Sequence, residues 1–185
     1  ENKNFNYLRK LGVIRESIYG VDIQPIATEI SKLRCFLTLI VDQPVHEGDQ
    51  NMGIEPLPNL DFKFVTANSL LKLQSNELNK AQTGLFEDSS GIDELKRLRE
   101  EYFSSHNNKR NSLKLQFADR QNQMLQDMIA SNSSGLSDIT PKLSAWKPFS
   151  HKVTGWFDSE WMFGISTGFN IVIGNPPYLG NTNIE

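Results

Sequence analysis

Apolar residues near the start of the chain recur at a helical spacing. Phe5, Leu8 and Leu11 are each separated by three positions, and Gly12 follows them, which predicts the tail of an amphipathic helix that stops at the glycine. Residues 18–23 combine β-branched and aromatic side chains around one glycine. This composition predicts a short strand that ends at an acidic residue.

A second helix is predicted directly after that strand. Pro25 suits the first turn of a helix, and apolar residues continue at helical spacing to about Val41. The apolar positions of this helix are Ile26, Ile30, Leu33, Leu37 and Ile40. The first complete unit is therefore a strand, the acidic residue Asp22 and a helix.

The middle of the chain alternates between loop, strand and helical patterns. Residues 44–60 are rich in proline, glycine and polar side chains and predict a loop, whereas residues 62–66 alternate as a short strand with a polar tip at 67–70. Residues 71–134 are mostly polar, with apolar positions at helical spacing on both sides of the polar turn 104–108. We therefore predict a helical hairpin inserted into an α/β domain.

The last part of the chain combines an aromatic segment with an apolar run. Residues 146–161 are rich in aromatic side chains, and we expect them to lie against the sheet. Residues 169–173 form a nearly continuous β-branched run, which is typical of a strand buried on both faces. This run leads into Gly174-Asn175-Pro176-Pro177-Tyr178, so the sequence predicts a stiff loop at the carboxyl end of a buried strand.

Composition limits the class of protein. A chain of 185 residues with 38% hydrophobic residues suits one domain with its own core. No apolar run approaches the roughly 20 residues that cross a bilayer, and the single Cys35 excludes internal disulfides and multi-cysteine zinc sites. His46, His106 and His151 have no ligand spacing, so no metal is expected. We expect a soluble, cytoplasmic protein.

Charge gives little support for binding nucleic acid by electrostatics alone. The 19 basic residues are outnumbered by 22 acidic ones. Charges in the segment 93–99 are most simply a solvated helix face. The same interpretation is favoured over contacts to phosphates for the basic residues of the hairpin, which are Lys109, Arg110, Lys114 and Arg120.

The loop at residues 174–178 has groups suited to one kind of chemistry. The Asn175 carboxamide and the Pro176 carbonyl are acceptors, and the Tyr178 ring can stack on a planar substrate, which contributes about 1–3 kcal/mol per base in single-strand binding. Two acceptors that hold the hydrogens of an exocyclic amine, such as N6 of adenine, would aim its lone pair at an electrophilic methyl group. A base in a duplex would first have to be flipped out.

Each of these residues also has a purely structural interpretation. Asp22 is an ordinary candidate for capping the helix that follows it. Pro176 and Pro177 are common loop stiffeners, and Asn68 is a common turn residue. The sequence leaves these alternatives open, most evenly for Asn68.

Several segments together resemble one family. Residues 173–178 look like the catalytic motif of S-adenosylmethionine-dependent amino-methyltransferases. Residues 19–27, with 32–34 on the next helix, resemble the acidic-strand motif of adenine-N6 DNA methyltransferases of the fused restriction–modification group (Eco57I-like, type IIG). Residues 57–61 and 67–70 resemble the next cofactor motif of that group. Order and spacing agree over most of the chain.

The resemblance implies a role for four residues in binding S-adenosylmethionine. Asp22 would accept hydrogen bonds from the ribose hydroxyls, as an acidic residue after a Rossmann-like strand does for dinucleotides. Ile23 would pack on the cofactor adenine. Asn68 would meet the adenine edge, and Ser69 belongs to the same motif.

The resemblance also implies a catalytic role for the proline-containing loop. Asn175 and Pro176 would hold the target amine, Tyr178 would stack on the flipped adenine, and Pro177 would mainly stiffen the loop. No catalytic histidine or cysteine is required.

The implied fold is α/β, a partial Rossmann-like methyltransferase fold with an inserted helical hairpin. Residues 1–70 would be part of the cofactor-binding region, 71–140 the helical insertion, and 141–185 the catalytic-loop strand and its flanking segment. The family's central first strand and its glycine-rich motif are missing, and that absence would expose two unpaired sheet edges. We therefore expect weak cofactor binding by this chain unless another chain or a rearranged pairing fills the gap.

The sequence thus predicts a piece of a site-specific adenine-N6 DNA methyltransferase from a restriction–modification system. Its partners would be double-stranded DNA with a flipped adenine and the rest of a longer parent protein, which would supply the first motif, a target-recognition domain and a candidate nuclease. The isolated chain, which opens with Glu1 rather than Met, is expected to be inactive. The alternatives are an rRNA-adenine or protein-glutamine methyltransferase, or a non-catalytic DNA-binding or scaffold module that uses the hairpin at Ile92–Ile129.

Overall fold

The computed structural model describes residues 2–72, 90–130, 139–150 and 152–175. The elements in chain order are α1 (Asn2–Ser17), β1 (Gly20–Asp22), α2 (Pro25–Ile40), a short 3₁₀ turn (Gln50–Gly53), β2 (Phe64–Thr66), α3 (Ser90–Phe103), α4 (Asn107–Ala130), α5 (Ile139–Ala145) and α6 (Ser159–Phe163). The described chain is therefore an α/β structure in which helices predominate. None of its described helices has both the length and the apolar character that crossing a membrane requires.

In the described part of the chain, the sheet consists of two parallel strands. Gly20 pairs with Phe64 and Asp22 with Thr66, and α2 packs on both strands. Gly20 is required at its position, because a Cβ atom there would stand 2.5 Å from the Phe64 ring. The predictions of a strand that ends at Asp22, a helix that begins at Pro25 and a second short strand before residue 67 are confirmed.

The first helix continues past the glycine that was expected to stop it. Helix α1 includes Gly12 in its interior and ends five residues later, at Ser17. Glycine in a helix interior costs about 1 kcal/mol relative to alanine. Tyr7 and Ile14, one on each side of Gly12, are buried in a cluster with Leu39 of α2. This tertiary packing offsets the local cost, so the predicted stop was wrong.

The predicted helical hairpin is confirmed. Helices α3 and α4 are joined by residues 104–106 and pack against each other along their length. Most of their buried apolar side chains belong to one core cluster together with residues from the sheet and from the last part of the chain, whereas Phe103 belongs to the cluster of α1 and α2. The most deeply buried members of this cluster include Leu98 and Tyr102 of α3, Phe117 of α4, Leu143 of α5 and Met162 of α6.

The aromatic segment after α5 lies against the sheet, as the sequence predicted. Thr154 forms an isolated parallel bridge with Ala67, and its N–H donates to the carbonyl of Thr66 at 3.0 Å. Trp146 and Trp156 are buried in the same core as the sheet. The segment therefore covers the end of β2.

The prediction of a buried strand at residues 169–173 was wrong. Phe169 contacts the rings of Tyr19 and Phe163, but the side chains of Ile171, Val172 and Ile173 are 80%, 80% and 93% exposed. A run that is apolar on both faces needs neighbouring strands to cover it. Within the residues that the structure describes, the sheet contains only β1 and β2. The Rossmann-like arrangement therefore remains a prediction.

Candidate functional site

Four of the residues predicted from the sequence lie at one edge of the sheet. Asp22 is the last residue of β1, and Asn68 follows β2 by two residues. Because the strands are parallel, their carboxyl ends meet at the same edge, and the N–H of Ala67 donates to the Asp22 carbonyl at 3.0 Å. Ile23 and Ser69 are the next residues on each side. Open α/β sheets bind ligands outside this edge.

Asp22 is exposed and held in place by the backbone. Its Oδ1 accepts a hydrogen bond from the N–H of Gln24 at 2.7 Å, just before α2 begins at Pro25. This bond closes a turn before the helix and does not cap it, because the N-cap residue of α2 is Gln24 and the helix has no side-chain capping bond. An ionised carboxylate has about four acceptor sites, so this single bond leaves capacity for ligand hydroxyls. The adjacent Ile23 side chain is 54% exposed and adds an apolar surface beside the carboxylate.

Asn68 shapes a turn at the same edge. Its side-chain Oδ1 accepts from the N–H of Leu70 at 3.1 Å, and its own N–H donates to the Thr154 carbonyl at 2.9 Å. This is the geometry of a turn residue, so the structural interpretation of Asn68 is supported. The turn leaves Ser69 exposed beside it. A contact between Asn68 or Ser69 and a cofactor remains a prediction.

The predicted catalytic loop at residues 174–178 is described only as far as Asn175. Asn175 is exposed and ends the described part of the segment that follows Gly168, which forms neither helix nor strand. Pro176, Pro177 and Tyr178 lie outside the described residues. The structure therefore brings the predicted cofactor residues together at one edge, whereas the segment that carries Asn175 is not paired with the sheet.

A polar network that sequence reasoning missed connects α2 to the hairpin. Asp61, just before β2, accepts from Lys32 Nζ at 3.1 Å and from the Tyr102 hydroxyl at 2.6 Å. Lys32 also pairs with Glu29 at 2.9 Å, and Arg110 Nε donates to the Tyr102 oxygen at 3.3 Å. Asp61 and Lys32 lie within the segments that resemble the family, but no local spacing relates them.

Hydrogen bonding within this network favours the ionised form of Asp61. Burial alone would raise the pKa of its carboxyl, but the hydrogen bond from Tyr102 and the charge of Lys32 outweigh burial and hold the pKa below its usual value. Burial and the neighbouring carboxylate raise the pKa of the Tyr102 phenol well above its usual value. The network therefore contains a carboxylate and a neutral phenol at neutral pH.

This network predicts a contribution of Asp61 to acid sensitivity. A carboxyl whose folded pKa lies below the unfolded value of about 3.9 stabilises the protein above that pH, and the contribution is lost as pH falls through the folded pKa. We expect Asp61→Asn to cost about 1–3 kcal/mol at pH 7 and to reduce the loss of stability below about pH 5. Urea denaturation of the chain at a series of pH values measures both effects.

The matched control is Asp119→Asn, at an exposed aspartate of α4. This variant should follow the pH dependence of the unmodified chain. If Asp61→Asn loses stability with falling pH as steeply as the unmodified chain does, the assignment of that dependence to Asp61 is wrong.

The basic residues considered for phosphate contacts already have partners within the protein. Lys109 pairs with Glu101 at 2.9 Å, Arg120 pairs with Glu94 at 3.0 Å, Arg110 donates to Tyr102, and Lys114 lies 5.0 Å from the centre of the Phe149 ring. Phosphate binding would compete with these contacts. The structure therefore agrees with the interpretation of these residues as part of the protein's own charge pattern.

Clustered metal ligands are not found in the part of the chain that the structure describes. No group of three or more His, Cys, Asp or Glu side chains is placed there to hold a metal ion. Of the three histidines, His151 lies outside the described residues.

Comparison with known proteins gives a family and one distant relative. The family model described as Eco57I restriction-modification methylase matches residues 16–185. The protein named "Putative type II restriction enzyme and methyltransferase RM.MjaORFECS2P" from Methanocaldococcus jannaschii is 26% identical over 229 aligned positions, which cover 93% of this chain and 19% of that protein. The chain thus spans about a fifth of the length of this curated relative. No solved structure matches the chain.

Proposed function

Because the chain belongs to the Eco57I restriction-modification methylase family, we propose that it is part of a DNA methyltransferase that modifies N6 of adenine. S-adenosylmethionine would be the methyl donor and double-stranded DNA with a flipped adenine the substrate. The observation that carries the proposal is the meeting of Asp22 and Asn68 at the carboxyl edge of two parallel strands.

The surroundings of Asp22 support the cofactor part of the proposal. The Gln24 N–H orients the carboxylate and its remaining acceptor sites suit two neighbouring ribose hydroxyls. Ile23, 54% exposed, offers an apolar surface on which a purine can pack. A carboxylate beside an apolar side chain matches the polar and apolar halves of an adenosine group.

The length of the last segment supports the catalytic part. Phe169 contacts Tyr19, the residue just before β1, with ring centres 5.8 Å apart. The six steps from Phe169 to Asn175 span up to about 20 Å in extended conformation, whereas the three from Tyr19 to Asp22 span about 10 Å. A segment running alongside β1 would therefore be long enough to bring Asn175 level with Asp22.

The proposed chemistry rests on positioning. The Asn175 amide oxygen and the Pro176 carbonyl oxygen accept the two hydrogens of the adenine amino group, so its lone pair turns away from the ring. S-adenosylmethionine, held by Asp22, Ile23, Asn68 and Ser69, would supply an electrophilic methyl group to this nitrogen and would leave as the uncharged thioether. The proton that the amino group gives up would leave to solvent. Stacking on Tyr178 would hold the flipped base.

The cofactor part predicts that Asp22→Asn weakens binding of S-adenosylmethionine by about tenfold or more. The amide keeps an oxygen for the Gln24 N–H but loses the charge and one acceptor for the ribose, and hydrogen bonds to charged groups contribute about 1.5–3 kcal/mol. Isothermal titration calorimetry on the full-length protein that carries this chain measures the change. Asp119→Asn is the control and should leave the affinity unchanged; equal affinities for all three proteins would exclude Asp22 from the cofactor site.

Two alternatives use the same residues differently. A loop with two acceptors and a tyrosine also suits an rRNA adenine or a protein glutamine, and family membership favours DNA over both. A non-catalytic module that binds DNA through the hairpin would rely on basic side chains that already contact Glu101, Glu94, Tyr102 and Phe149. The methylated product distinguishes these alternatives.

A further inference from the structure

A cavity of about 330 Å³ lies at the edge of the sheet opposite to Asp22 and Asn68. Tyr19 and Lys63, which line it, come directly before β1 and β2, so the cavity is at the amino ends of the strands. Arg99 of α3 and Gly164 after α6 line it as well. Its volume falls at the lower end of the range for sites that bind small organic molecules, about 300–1,000 Å³.

Arg99 is a buried cation without a carboxylate partner in the described part of the chain. Arg99 is 9% exposed, Nη2 donates to the Trp161 carbonyl at 2.6 Å, and Nε has no hydrogen-bond partner among the described residues. Its guanidinium carbon lies 5.2 Å and 5.7 Å from the ring centres of Phe117 and Phe62. Burial lowers the pKa of Arg99 to about 10. The rings compensate part of the charge, and an anion in the cavity would compensate more.

Other cations add to the charge of this cavity. The lining has four basic residues and two acidic ones, which leaves an excess of two positive charges. The basic residues are Arg15, Lys63, Lys96 and Arg99, and the acidic ones are Glu16 and Glu100. Glu16 already pairs with Arg15 at 3.3 Å. Lys63 Nζ lies 3.8 Å from the centre of the Tyr19 ring, which places it against an aromatic wall. The excess charge favours a ligand with two negative charges.

The aromatic part of the lining indicates the rest of the ligand. Tyr19, Phe103 and Phe163 all border the cavity and provide apolar surface beside the cations. We propose that this cavity binds a small organic phosphate that carries a flat aromatic group, at most of mononucleotide size. A phosphate monoester is close to a dianion at neutral pH, with a second pKa of about 6. A duplex DNA backbone has one charge per phosphate and is too wide to enter a cavity of this volume.

Phenyl phosphate is a suitable probe, measured by isothermal titration calorimetry with the full-length protein at pH 7.5. We expect saturable binding that is about tenfold or more tighter than that of inorganic phosphate, because the ring adds apolar contacts. Lys63→Gln should weaken phenyl phosphate binding about tenfold or more, and Lys63→Arg should restore most of it. Absence of saturable binding would overturn the proposal.

Lys114→Gln is the matched control for this site. Lys114 also lies over an aromatic ring, 5.0 Å from the centre of Phe149, but outside the cavity, so its replacement should leave the affinity unchanged. Equal losses of affinity for Lys63→Gln and Lys114→Gln would contradict the site.

Competition with a short DNA duplex tests the source of the phosphate. Displacement of phenyl phosphate by the duplex would overturn the assignment to a small molecule, and its absence would support it.

Discussion

Replacement of Asn175 by alanine is expected to lower methyl incorporation by the full-length protein roughly 10²–10³-fold. The reason is the loss of an acceptor that acts on the amino group as its nitrogen becomes a nucleophile, and removal of one such preorganised group in other enzymes costs about this much. Asn175 is exposed and outside the core, so its replacement should not unfold the protein. The measurement is transfer of a labelled methyl group from S-adenosylmethionine to unmethylated DNA.

Asn170→Ala is the control for this experiment. Asn170 is also exposed and lies five residues earlier in the same segment, outside the proposed loop. It should retain the activity of the unmodified protein. For Asn175→Ala we expect the loss in kcat rather than in affinity for S-adenosylmethionine, since the interaction acts in the transition state. Full activity of Asn175→Ala would refute the catalytic role.

Replacement of Phe117 by alanine is expected to lower the free energy of unfolding by about 3–5 kcal/mol. Phe117 is 1% exposed, and its ring centre lies 4.6 Å from that of Phe62 and 6.3 Å from that of Trp146. These partners belong to the segment before β2 and to the aromatic segment after α5. The loss is a large part of the 5–15 kcal/mol typical of a domain. Urea denaturation measures it.

The control for Phe117 is Leu115→Ala, in the same helix. Leu115 is 67% exposed, so its replacement should change stability by no more than about 0.5 kcal/mol. Phe117 packs on residues that precede the hairpin in the sequence and on residues that follow it. We therefore expect a single cooperative unfolding transition, which the replacement shifts as a whole. A separate transition for the hairpin, with the remainder unaffected by Phe117→Ala, would show that the hairpin is an independent unit.

Elements set by local pattern could be predicted from the sequence. Periodicity, proline placement and turn composition predicted three features to within a few residues of their observed bounds. These are the strand that ends at Asp22, the helix that begins at Pro25 and the two helices around residues 104–106. Asp22 and Asn68 were each predicted to follow a strand, and the parallel pairing that the structure adds brings both to the same edge. For these elements, local preference and tertiary packing agree.

Features that depend on distant contacts could not be predicted. Asp61 meets Lys32 and Tyr102 across 29 and 41 positions of the chain, and no local spacing encodes such pairs. The segment of α3 that ends at Arg99 was interpreted as a solvated face, yet Arg99 is buried because α6 and the rings of the core cover it. Charge alone did not reveal which side of the helix faces the protein.

At residues 169–173, by contrast, a clear local pattern predicted an element that the structure does not form. The composition of this apolar run indicates a strand that is buried on both faces. Whether such a strand forms depends on neighbouring strands from other parts of the chain, which the run itself does not encode. Gly12 is a milder case, since packing on both sides of it overcame a local preference to stop the helix. The sequence pattern thus indicated the secondary structure that each segment prefers, and tertiary contacts determined the structure that it adopts.

The identity of the methylated atom tests the central claim most directly. The full-length protein would be incubated with labelled S-adenosylmethionine and, in separate reactions, unmethylated duplex DNA, rRNA and protein, and each product would be hydrolysed and analysed by mass spectrometry. We predict label on N6 of deoxyadenosine from duplex DNA. Label confined to cytosine, to rRNA adenine or to glutamine would contradict the account, as would the absence of methyl transfer to any of the three.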